Sequence, residues 1–112
     1  MRSSVVLEAP VAAWLWEHDA LVLAEALASG QAAPGDDPAR EAFAALFDGY
    51  PGARALVVPG AHLTYLADAL PYEADKHDDL RRAQPLSPSD ERHARRLAGA
   101  FRRAIRAVER AR

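Results

Sequence analysis

Four histidines, His18, His62, His77 and His93, and an acidic run around Glu73 are the residues of this sequence best placed to do acid–base or ligand chemistry near neutral pH. Glu73 and His77 stand four apart, so on a continuous helix both can face one ion. Glu17 with His18 or Asp78 would complete an oxygen and nitrogen set suited to zinc, manganese or iron. Neither HExxH nor a paired ExxH is present, and adjacent residues such as Glu17 and His18 point about 100° apart on a helix. The 112 residues contain no cysteine, which removes disulfides, thiolate chemistry and cysteine-ligated metals together. We therefore assign no catalytic, cofactor or metal residue from the sequence. Glu73, His77, Asp78 and His18 are the candidates a metal-dependent enzyme would draw on.

The hydroxyls offer no better catalyst. Ser3, Ser4, Ser29, Thr64, Ser87 and Ser89 lack a GxSxG context or an evident base, and His62 and Thr64, two apart, point to different helix faces. The glycine turns PGDD and PGAH have neither a phosphate-binding repeat nor a suitably placed lysine.

Charge is distributed more sharply than the total of −2 suggests. From Ser87 onward eight arginines stand against Asp90, Glu91 and Glu109, a balance of +5, whereas residues 1 to 86 carry 6 basic and 13 acidic side chains, a balance of −7. Arg92, Arg95, Arg96, Arg102, Arg103, Arg106 and Arg110 recur on one side of a helix whose other side carries Leu97, Phe101, Ala104, Ile105 and Val108. Ser87 followed by Pro88 starts that helix: the hydroxyl accepts an unpaired amide, and proline occupies a first-turn position whose amide has no partner in any case. A basic amphipathic helix over about 88–111 can lie along a phosphate backbone, dock an acidic protein surface or simply face solvent.

The elements that must position these residues are mainly helical. Val11, Trp14, Leu15, Val22, Leu23 and Leu27 predict a helix over about 10–28, ended by Gly30, and composition predicts a surface loop at about 30–37. Asp37 and Pro38 open a helix carrying Phe43, Leu46 and Phe47, stopped by Gly49, and Tyr50, Pro51 and Gly52 form a type II turn. Short strands at about 3–7 and 54–58 would pair in parallel through a right-handed crossover, which implies an oligomer that extends the sheet. Leu63, Leu66, Ala67 and Leu70 form a helix that Pro71 breaks or kinks, followed by a charged segment, Tyr72 to Arg82, as a solvated helix or connector. The expected fold is a mainly α, compact domain of four to five helices spanning 1–112, with a small α+β arrangement as the alternative.

No targeting signal is visible, and Glu8, Pro10, Glu17 and Asp19 interrupt any apolar run long enough to span a membrane, so a cytoplasmic location and no membrane partner are expected. The leading functional expectation is a non-enzymatic interaction or accessory module, acting as a homo-oligomer or small subunit. Trp14, Trp16, Phe101 and Ile105 would anchor its interface. The alternatives are a nucleic-acid-binding protein using the arginine helix and a small metal-dependent enzyme using residues 73–79. No cofactor is implied.

Overall fold

The computed structural model describes residues 3–30 and 38–112. A mainly α architecture with a small β part is observed: β1 (Val5–Leu7), α1 (Ala9–Leu15), a π turn (Trp16–Ala20), α2 (Leu21–Ala28), α3 (Pro38–Ala45), β2 (Leu56–Val58), a 3-10 turn (Gly60–His62), α4 (Leu63–Ala83) and α5 (Pro88–Ala111). The predicted loop between Gly30 and Pro38 lies outside the described residues.

The strands are real, but they run antiparallel, with Val5 opposite Val58, Val6 opposite Val57 and Leu7 opposite Leu56. This corrects the expected parallel crossover. Alternation in a strand specifies which side chains face inward and says nothing of direction when the connection is long. Here Val5, Leu7 and Val58 are buried, while Val6 and Val57 point outward together.

Residues 9 to 28 form one helical rod. Pro10 sits in its first turn, and the backbone stays in the right-handed helical region through the π turn, from Leu15 through Trp16 to Leu21. Val11, Ala12, Leu15, Ala20 and Leu23 are its buried apolar positions. Phe43 of α3 and Phe47 just beyond it enter the same core, with Phe43 packed at 4.8 Å from the Tyr65 ring. Gly49 at φ +74° and Gly52 at φ +81° take backbone angles that side-chain-bearing residues disfavour, the first ending that helical segment and the second closing the Pro51–Gly52 turn.

α4 runs through Pro71 without ending, so of the two expected effects the proline does not break the helix. The missing amide removes one helical hydrogen bond, yet Leu63, Leu66, Leu70, Glu73 and His77 all bury on one line with spacings of three and four, and Pro71 itself lies on the exposed side. Packing on both sides of the proline holds the helix together. A short link to Ser87 then returns the chain as α5, which packs along α4 and also meets α1 and β1. Ser87 Oγ accepts from the Asp90 amide at 3.1 Å, as the sequence predicts. Ala94, Leu97, Ala100, Phe101, Ala104 and Val108 form the buried face of α5. Burying a ring such as Phe101 is worth about 2–3 kcal/mol, so this helix is a principal wall of the core.

Among the described residues no helix is long and apolar enough to cross a membrane.

Candidate functional site

The acidic and histidine segment of α4 is helical and turns two of its residues, Glu73 and His77, into the core, while Tyr72, Asp75, Asp79 and Leu80 stay exposed. Glu73 is 3 % exposed and His77 6 % exposed, so at these two positions the expected solvated helix is corrected. Both continue the inward line of Leu63, Leu66 and Leu70. The spacing of three and four was the signal that could have found them, and the charged composition of the segment masked it.

Trp14 links that segment to α1. Its indole Nε1 donates to Glu73 Oε2 at 2.9 Å, satisfying a half-buried donor and a buried acceptor at once. His18 stacks on the indole with ring centroids 3.8 Å apart and 17° between planes. The edges of the His77 and Phe101 rings meet Trp14 at 5.2 and 6.3 Å. Only the nitrogen can donate between His18 Nδ1 and the Trp14 carbonyl oxygen, 3.1 Å apart, so this contact puts the proton on Nδ1 and leaves Nε2 with a lone pair in the neutral ring. The π turn that carries His18 also turns Asp19 inward to accept from the Tyr65 hydroxyl. Burial, and then that hydrogen bond, raise the Tyr65 pKa far above its ordinary value.

His77 Nδ1 is buried without a hydrogen-bond partner, its nearest carboxylate being Asp78 Oδ1 at 3.8 Å. Desolvation holds the His77 pKa below its ordinary 6.5; Asp78 opposes that shift, while Arg81, His93 and His18 reinforce it. Glu73, His77 and His18 thus come together around Trp14, whereas Asp78 lines a separate groove between α4 and α5. Among the described residues no three histidine or carboxylate groups converge to hold a metal ion.

The expected interface anchors are used within the chain. Phe101 is 1 % exposed, and Trp14, Trp16 and Ile105 are half-buried against the core. Trp16 packs toward Tyr50 at 6.4 Å, so the two tryptophans serve opposite sides of the rod.

The arginines behave differently. Arg92, Arg95, Arg96, Arg102, Arg103, Arg106 and Arg110 are all exposed. At 3.6 residues per turn they fall within an arc of about 120°, opposite the buried face, and the stripe runs about 27 Å. Arg103 makes a two-pronged bond to Glu8, at 2.7 and 2.9 Å, which ties α5 to the start of α1 and lowers the Glu8 pKa. Arg95 approaches Glu91, which also accepts from Arg81. Arg92, Arg96, Arg102, Arg106 and Arg110 have no ion pair among the described residues. Gly99 lies at the middle of the stripe, where an added Cβ would meet Arg103 Nη1 at 3.3 Å. The bare glycine leaves room for that guanidinium to lie back along the helix.

Compared with protein-family models, curated proteins and solved structures, the chain matches none.

Proposed function

We propose that the protein binds nucleic acid through its phosphate backbone, using the outer face of α5. The observation that supports this reading is the stripe of seven exposed arginines, five of them without a carboxylate partner among the described residues. Its chemistry favours phosphate over a protein surface. A stable protein interface is organised around buried aromatic or aliphatic anchors, and this stripe has a glycine at its centre and charged side chains around it. Phosphate binding needs no apolar anchor, because neutralised phosphates release condensed counterions. Duplex DNA carries one charge per about 1.7 Å of axis, so a face about 27 Å long meets more phosphates than it has arginines. The acidic remainder of the chain repels the same polyanion and so fixes which face approaches it. The expected cytoplasmic location belongs to this proposal.

Fluorescence anisotropy with labelled single- and double-stranded oligonucleotides tests it. Five phosphate contacts at about −0.9 each give a log–log salt slope near −4.5 on duplex, a loss of about 500-fold between 50 and 200 mM salt. The double reversal Arg102→Glu with Arg106→Glu should flatten that slope by about 2 or abolish binding. Arg54→Glu, an exposed arginine outside the stripe, should leave it unchanged. Absence of binding at low salt, or equal loss from Arg54→Glu, would remove the reading.

A second reading, self-association, is favoured by Val6 and Val57, cross-strand neighbours that are each 59 % exposed on the outer face of a sheet with no further strand among the described residues. It places the interface there and not at Trp14, Trp16, Phe101 and Ile105. Light scattering on the wild type and on Val57→Lys distinguishes the cases: a dimer lost in the variant supports it, and a monomer at all concentrations rejects it.

A further inference from the structure

A cleft of about 350 Å³ opens where the π turn, the end of α4 and the start of α5 meet. Its lining includes the imidazoles of His18, His77 and His93, the carboxylates of Glu17 and Asp90, and Trp14. None of the seven stripe arginines lines it, so it is independent of the phosphate-binding face.

We infer that this cleft binds a small organic cation carrying an aromatic or heteroaromatic ring, such as a protonated arylalkylamine. The volume lies within the range of small-molecule pockets, and the walls combine apolar surface with a few polar groups. Leu80, Leu86 and Leu97 supply the apolar part, and Leu80 is 50 % exposed in the single chain, a large aliphatic surface that a seated ring would cover. The wall behind the cleft is built from buried polar groups: Glu73 holds the Trp14 indole, and the His77 ring is fixed among Trp14 and Phe101 with an unpartnered nitrogen. A buried polar atom left unpaired opposes folding, so the His77 nitrogen is not what stability alone would select.

Charge and hydrogen-bonding direction decide the ligand class. Arg81, the one guanidinium in the lining, is engaged by Glu91. Glu17 and Asp90 have no ion pair among the described residues, although Asp90 also accepts from the Ser87 hydroxyl. The carboxylates of Glu17 and Asp90 therefore set a negative charge at the cleft. His18 presents a lone pair on Nε2 because its other nitrogen donates to the Trp14 carbonyl. A ligand that matches donates hydrogen bonds, carries positive charge and has a flat apolar body.

The test compares 2-phenylethylamine with phenylacetate, ring compounds of similar size and opposite charge, following the histidine ring resonances of the full chain by NMR. Saturable shifts of His18 and His93 with the amine, and binding of the acid about tenfold weaker or absent, are expected. Glu17→Gln combined with Asp90→Asn should weaken the amine at least about fivefold while the thermal midpoint stays near that of the wild type. No saturable shift up to about 20 mM amine, or equal affinity for phenylacetate, would overturn the inference. If the double variant is destabilised, Glu17→Gln alone, at an exposed position, still reads the charge dependence; an unchanged amine affinity in that variant would also count against the site.

Discussion

Breaking the Trp14–Glu73 hydrogen bond should cost a large part of the stability of this domain, and the way the loss divides among variants reports its cause. Glu73 is 3 % exposed and accepts the indole N–H of Trp14 at 2.9 Å, joining residues 59 apart in the chain. A hydrogen bond to a charged group is worth about 1.5–3 kcal/mol, and a buried donor left unpaired forfeits about 1–3 kcal/mol. Glu73→Ala removes the acceptor and leaves a void, so a loss of about 3 kcal/mol is expected. Glu73→Gln retains a carbonyl acceptor of nearly the same shape and should lose only about 1 kcal/mol. Trp14→Phe removes the donor and strands the carboxylate, and the cycle with Glu73→Ala should show a coupling of about 2 kcal/mol. Against a total of about 5–15 kcal/mol these are readily measured by urea unfolding followed by far-ultraviolet circular dichroism, which does not depend on the tryptophan being replaced. A coupling within about 0.5 kcal/mol of zero, or a Glu73→Gln loss equal to that of Glu73→Ala, would refute this reasoning.

The pH dependence follows from His77, whose folded pKa lies below its ordinary 6.5 through burial. The unfolded chain binds that proton first, so stability is fullest above about pH 6.5 and declines as pH falls below it. Urea midpoints measured between about pH 7.5 and 5.5 should fall, and His77→Phe should flatten the decline; an unchanged slope in the variant would show that another group carries it. Glu8, lowered by Arg103, and Glu91, lowered by Arg81, are depressed carboxylates whose contribution is lost only as pH drops below about 4.5, a separate window. Ser87→Ala removes the cap of α5 and should cost about 1 kcal/mol in thermal or urea unfolding, with Ser87→Asp largely restoring it. Pro71→Ala supplies the missing amide in the middle of α4 and should stabilise by about 1–3 kcal/mol by the same measurement; a destabilised variant would show that the helix depends on a bend at the proline.

Much of this molecule is determined locally and is therefore legible in the sequence. The cap at Ser87, the buried face of α5, the rod that starts near Pro10 and the positive-φ turns at Gly49 and Gly52 rest on interactions within a few residues, and each is where the spacing or the residue type puts it. The arginine face was legible for the same reason, since 3.6 residues per turn sorts it from the apolar face without reference to anything else. What only the tertiary structure decided are relations between distant segments. The strands pair antiparallel because packing orients them, and α4 continues through Pro71 because core contacts on both sides outweigh one lost hydrogen bond. Glu73 and His77 are buried because Trp14, far away in sequence, meets one of them with an indole donor and the other with its ring. Composition describes what a residue prefers in isolation; whether a carboxylate at position 73 faces water or an indole depends on where α1 is set against α4.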